Sequence, residues 1–211
     1  MKKLIFAVLL TIISAPLSAY FYFEPLSIVL YPGALGKLYS HTFDTSPGAD
    51  IEPRGGASYA AGASVDLFFT NSLALTGGAY YDKCVEEFQI FGFGKNTMKA
   101  DFTYLTTPIG FHYYFYDLHF LGAGCYYGRH IDSEYSENSD GVESVDTTHM
   151  NDDIGIWAQL GYAIEITERI NCLIYIEGKR SLVGVYKNSE SSITNLKRYE
   201  LNVGTAFGYR I

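Results

Sequence analysis

The sequence predicts an all-β chain, an eight-stranded, antiparallel, up-and-down transmembrane β-barrel, and three observations carry that expectation. The segment Tyr199–Ile211 alternates strictly. Tyr199, Leu201, Val203, Thr205, Phe207, Tyr209 and Ile211 share one face, and Arg198, Glu200, Asn202, Gly204, Ala206, Gly208 and Arg210 share the other. A bulky apolar face opposite a small or charged one, sustained past the roughly 9–11 residues that a membrane-crossing strand needs, suits a wall between lipid and a polar lumen. The composition agrees: 19 Tyr, 14 Phe and 21 Gly supply strand and interface aromatics together with glycines for crowded lumen positions. Finally, the connections between candidate strands alternate long and short. That order sets both chain ends and three tight turns on one side of the barrel and four long loops on the other.

At the amino end, Lys2 and Lys3 precede the apolar run Leu4 to Ile13 and the small-residue stretch Ser14 to Ala19. This is the pattern of a secretory signal peptide, residues 1–19, cleaved after Ala19 to leave one barrel domain, 20–211. The run is too short for a membrane helix, and Pro16 interrupts any extension. Cleavage removes two lysines and no acids, so a chain of formal net charge −8 becomes more acidic. Acidity without basic clusters argues against nucleic acid as a partner.

Tyr20–Tyr31 reads as a first strand, with Pro25 restricting it to an edge or bulge, and Pro32–Gly55 as a long loop. Ser58–Phe69 alternates, with Tyr59, Ala61, Ala63, Val65, Leu67 and Phe69 outward and Asp66 inward. Asn71-Ser72 turns into Leu73–Val85, which points Thr76, Gly78, Tyr80, Asp82 and Cys84 inward, and Glu86–Lys99 is expected to be a loop. Asp101–Tyr113 sets Leu105, Ile109, Phe111 and Tyr113 against Tyr104, Thr106, Gly110 and His112, with Pro108 marking a bulge. After a turn at Phe115-Tyr116-Asp117, Leu118–Arg129 aligns Gly122, Gly124 and Gly128 inward, and His130–Asn151 follows as a polar loop. Asp153–Ile166 has the cleanest period: Ile154, Ile156, Ala158, Leu160, Tyr162, Ile164 and Ile166 outward, Asp153, Gly155, Trp157, Gln159, Gly161, Ala163 and Glu165 inward. Thr167-Glu168-Arg169 turns into Ile170–Tyr186, and Lys187–Asn195 is the last loop.

The closing strand, with Phe207 and Tyr209, resembles the carboxy-terminal signature of bacterial outer-membrane β-barrels. The resemblance implies that this strand closes the barrel and is read by the barrel assembly machinery. From Ser58 to Ile211 the chain resembles the PorT-like family within the wider OmpA/OmpX-type eight-stranded barrels. The matching pieces are Gly62-Ala63-Ser64-Val65-Asp66-Leu67-Phe68, Tyr104-Leu105-Thr106-Thr107-Pro108-Ile109-Gly110, Leu121-Gly122-Ala123-Gly124 with Tyr126, and Gly204-Thr205-Ala206-Phe207-Gly208-Tyr209-Arg210. It implies an outer-membrane location and lipid as surroundings rather than any one activity.

The inward charges Asp66, Asp82, Glu165, Glu177, Lys179, Arg198, Glu200 and Arg210 form the candidate site. They read as a structural lumen network, because a buried charge must pair or cost several kcal/mol; a proton- or ion-conducting path is the alternative. The stretch Ile131–Asp153 holds eight acids and no Lys or Arg. It imitates a calcium loop at Asn138, Asp140 and Gly141, but Ser136 and Thr147 occupy the first and last ligand positions, so a solvated acidic loop is expected and no metal. His41, His112, His119, His130 and His149 fall in no Gly-x-Ser-x-Gly or His-Glu-x-x-His pattern, so no catalytic residue and no cofactor is expected. Cys84, Cys125 and Cys172 cannot all pair and read as small hydrophobes. The function expected is that of a non-enzymatic outer-membrane barrel acting structurally or through an extracellular partner at its loops. A small channel, a lipid-modifying enzyme and a soluble carrier are the alternatives.

Overall fold

A computed structural model of the chain describes residues 28–44, 51–53, 56–90, 96–115, 119–137, 141–143, 151–183 and 197–211. They form strands and tight bends only: β1 (Ile28–Asp44), β2 (Ile51–Pro53), β3 (Gly56–Phe68), β4 (Leu73–Ile90), β5 (Asn96–Phe115), β6 (His119–Glu137), β7 (Gly141–Glu143), β8 (Asp153–Glu165), β9 (Ile170–Ser181) and β10 (Lys197–Arg210). β2 and β7 are three-residue additions to the upper ends of β4 and β6. The other eight pair antiparallel around a ring in the order β1, β3, β4, β5, β6, β8, β9, β10. The ladder β1–β10, running from Val29↔Arg210 to Asp44↔Lys197, closes it. The architecture is the eight-stranded antiparallel barrel, and closure leaves no edge strand in its wall.

Both ends of the described chain and a tight bend meet on one side. Ile211 N–H donates to Ile28 O at 3.0 Å, and Arg210 N–H to Arg169 O at 2.8 Å. The bends at 69–72 and 166–169 are held by threonine hydroxyls: Thr70 Oγ1 accepts from Leu73 N–H at 3.0 Å, Thr167 Oγ1 from Ile170 N–H at 3.1 Å. These short side-chain acceptors stand in for backbone partners where the ladder stops.

The strands are longer on the loop side than their alternation indicates. Pro32–Gly55, expected as a loop, continues β1 to Asp44 and contains β2. The pattern is hidden because β1 slips register between Leu30, Gly33 and Leu38 against β10, and between Tyr31, Ala34 and Lys37 against β3. Each bulge inserts an unpaired residue and breaks the period of two. Glu86–Lys99 is likewise a ladder down to Ile90↔Asn96, and β6 runs through the expected polar loop to Glu137. Backbone pairing makes no demand on side-chain alternation, so these ladders continue where the sequence carries no period of two. β9 stops at Ser181, short of Tyr186. Met1–Ala19, Tyr20–Ser27 and Lys187–Asn195 lie outside the described residues.

Inward positions alternate large and small between neighbouring strands. The Tyr175 ring lies over its ladder partner Gly204, and Phe120 over its partner Gly161; an added Cβ would stand 2.4 Å from either ring. Glycine is required there by this close approach, and the rings so seated fill a bore that eight strands leave only one side chain deep. At the turn end, Tyr31, Phe68, Tyr114, Phe120, Leu173 and Ala163 form an aromatic floor.

Candidate functional site: the polar lumen

Strand parity aims Asp66 of β3, Asp82 of β4, His112 of β5, Asp153 and Gln159 of β8, Glu177 and Lys179 of β9, and Arg198, Glu200 and Asn202 of β10 into the bore. All except the half-buried Gln159 are buried. They form one contact chain along it. Above the aromatic floor, Tyr114 O–H donates to Asp66 Oδ2 at 2.7 Å, and His112 Nδ1 lies 2.9 Å from the same oxygen. His112 Nε2 lies 3.0 Å from Gln159 Oε1, while the Gln159 amide donates to Glu177 Oε2. Asn202 Nδ2 donates to Glu177 Oε1 at 2.7 Å.

His112 sits between two acceptor groups. Glu177 takes the NH2 end of Gln159, so the carbonyl end faces the ring, and both ring nitrogens meet acceptors. An imidazolium donates from both nitrogens, a neutral ring from one.

Lys179 is the crossbar of the upper half. Its Nζ lies 3.5 Å from Asp82, 3.4 Å from Glu200 and 3.8 Å from Glu177. Arg198 follows, with Nε 3.0 Å from Glu200 Oε1, Nη2 2.7 Å from Asp153 Oδ2, and its guanidinium 4.6 Å from the Tyr104 ring centroid. Tyr126 O–H donates to Asp153 Oδ2 at 3.0 Å. Burial is tolerable for these charges because each ion has an opposite partner at contact distance.

Of the eight site residues expected from the sequence, Asp66, Asp82, Glu177, Lys179, Arg198 and Glu200 come together in this network. Glu165 and Arg210 do not. They stand at the turn-side mouth, exposed and half-buried, lining an open recess with Glu168, Arg169 and Ile211, because strand ends reach past the filled part of the bore. Sequence reasoning assigned Asp153 to the acidic loop as well as to the start of a strand; the structure buries it against Arg198. Its signal was its parity with Gly155 and Trp157. Gln159 and Asn202 were legible as inward but carry no charge to mark them as links. Cys84 is more than a small hydrophobe, since its Sγ accepts from Arg198 Nη1 at 3.1 Å.

The rest of the acidic stretch divides. Asp152 accepts from the Tyr127 hydroxyl and, at 3.0 Å, from His130 N–H. The Tyr127 hydroxyl holds this exposed carboxyl below its ordinary range, with the His130 amide and Arg129 adding to the effect. Among the described residues no group of three or more His, Cys, Asp or Glu is arranged to hold a metal ion. The bore retains a cavity of about 20 Å³ beside His112, Gln159, Glu177, Tyr80 and Tyr175, room for about one water molecule. The lumen's charges are thus paired with one another, while single oxygens of Asp66, Asp153 and Asn202 are buried without a hydrogen-bond partner among the described residues.

No protein-family model and no curated protein sequence matches the chain, so the PorT-like resemblance gains no support. Among solved structures, the chain is similar to the outer-membrane protein OprG from Pseudomonas aeruginosa, with a TM-score of 0.57 and 11% identity over 92% of this chain and 99% of that one. Neisserial surface protein A, NspA, aligns at a TM-score of 0.46 and 11% identity over 85% and 95% of the two chains. Ail of Yersinia pestis aligns at 0.43 and 11% over 88% and 100%. At such identity the likeness to OprG speaks for the fold: the chain has the architecture of an eight-stranded barrel of the kind found in outer-membrane proteins.

Proposed function

We propose that the chain is a non-enzymatic bacterial outer-membrane β-barrel that crosses lipid with its eight strands, keeps its lumen closed with side chains, and acts structurally or through contacts at its long-loop end. Export by the amino-terminal leader and recognition of β10 by the barrel assembly machinery belong to the same proposal. The observation that carries it is an inversion of polarity. Ile109, Phe111, Leu121, Ile156, Ile176, Leu201 and Val203 are exposed, whereas Asp66, Asp82, Glu177, Lys179 and Arg198 are buried. Water-soluble proteins rarely expose contiguous apolar surface beyond a few hundred Å²; lipid accounts for an apolar exterior that continues around the ring.

The height of the band supports the same reading. On β10 it is bounded by the outward Tyr209 and Tyr199. Ten steps of about 3.3 Å along a strand tilted by about 40° span roughly 25 Å, the height of the apolar belt of membrane barrels. Aromatic residues at both limits suit the two interfaces. The test is folding into lipid vesicles, read as a heat-dependent gel-mobility shift, followed by planar-bilayer recording. Insertion without steady conductance is expected. Reproducible conductance steps would favour the small channel, release of acyl chains would favour the enzyme, and a monodisperse protein without detergent would overturn the membrane reading.

A further inference from the structure

The outer wall carries cations at the loop-side limit of its apolar band, and they differ in how they are neutralised. Lys83 Nζ lies 3.2 Å from Asp101 on the neighbouring strand, and Arg129 acts electrostatically on Asp152. Arg180 has an aromatic partner instead. Its guanidinium lies 5.4 Å from the ring centroid of Tyr199, its ladder partner on β10. Among the described residues no carboxylate contacts Arg180 or Lys197. Lys197 shares the outward parity of Tyr199 two residues toward the loops, a diagonal that long side chains bridge.

Beside and below the pair the wall is apolar: Ile156, the ladder partner of Arg180 on β8, is exposed, as are Ile176 and Leu201. Two cations and a phenol on one outward face therefore stand where acyl chains end and headgroups begin, on a chain whose formal net charge is −8. A guanidinium in that position matches a phosphate bidentately, the ammonium adds a point charge, and the tyrosine hydroxyl adds a donor. We propose that Arg180, Tyr199 and Lys197 form a docking site for a lipid phosphate of the leaflet on the loop side, of the kind displayed by a phosphorylated glycolipid such as lipid A. The inference rests on the membrane reading above.

The test uses the full chain in phosphatidylcholine nanodiscs containing a minority of diphosphoryl lipid A, or of the same lipid stripped of phosphate. Retained lipid is counted by native mass spectrometry. The wild-type chain is expected to retain the phosphorylated lipid preferentially, and Arg180→Gln with Lys197→Gln to weaken retention about tenfold, the loss of roughly one charge-assisted contact. Tyr199→Phe should weaken it less, and Arg180→Lys should fall between. Folding of each variant is read separately from its gel-mobility shift on heating. Equal retention by wild type and double variant overturns the docking site and leaves the membrane reading standing; failure of the wild-type chain to insert removes both. Displacement of the lipid by inorganic phosphate at equal phosphate concentration would make this a solute site and overturn the lipid assignment.

Discussion

Nη2 of Arg198, on β10, lies 2.7 Å from Oδ2 of Asp153, on β8, so the ion pair reaches past β9 through the lumen. Both side chains are almost fully enclosed. Arg198→Ala leaves Asp153 and Glu200 without their guanidinium and is expected to destabilise the folded barrel by about 3–5 kcal/mol. Adding Asp153→Asn should recover part of that loss, because the stranded charge is then gone. Urea unfolding from vesicles, followed by Trp157 fluorescence, measures both. A loss below about 1 kcal/mol in the single variant would contradict the network as an element of stability.

Leu160 faces outward between its ladder partners Leu121 and Ile176. Leu160→Arg is expected to cost roughly 2–4 kcal/mol of folding into bilayers, the toll of a cation near the midplane. Gln159→Arg, one residue away, points into a bore where Glu177 is at hand, and should be milder. Equal harm, or greater harm from Gln159→Arg, would reverse the inside–outside assignment of β8.

Gly204 is covered by the buried Tyr175 ring. Gly204→Ala should cost about 1–3 kcal/mol through overpacking, and Tyr175→Leu in the same chain should relieve part of it. A double-mutant cycle reads the coupling, expected between about 0.5 and 3 kcal/mol. Strict additivity would mean that the ring does not hold that position.

Asp152, just before β8 on the loop side, supplies the pH test. Its carboxyl is held below the ordinary range chiefly by the Tyr127 hydroxyl. A lowered folded pKa contributes stability that is fully present above the unfolded pKa and is lost as pH falls through the folded one. Tyr127→Phe should therefore raise the Asp152 titration toward its ordinary value, observed by carboxyl carbon NMR. It should also shrink the acid-side stability loss by a small amount, since the site is exposed. An unchanged titration would show that the hydroxyl is not the cause.

The legible parts of this protein are those governed by a period of two. Where a strand separates an apolar exterior from a polar lumen, as in β8 and β10, each residue type reports its own side. Ile156 and Trp157 could be assigned without coordinates. The order of strands and the turn side followed from the same alternation with the breaks at Asn71-Ser72 and Thr167-Glu168-Arg169. The upper strand segments were illegible because backbone pairing continues there without a period of two in the sequence, and the bulges of β1 shift parity mid-strand.

What the sequence by itself determined is the class of wall and the sign of each face, because alternation is a local consequence of strand geometry. Which inward groups touch was decided only by closure. Asp66 meets His112, Gln159 joins His112 to Glu177, and Arg198 finds Asp153 rather than a neighbour on its own strand. Those partners lie on different strands, and the stagger of the closed ring, which no single strand encodes, sets their heights along the bore. For the same reason Glu165 and Arg210, inward by parity, ended at the mouth, outside the filled lumen.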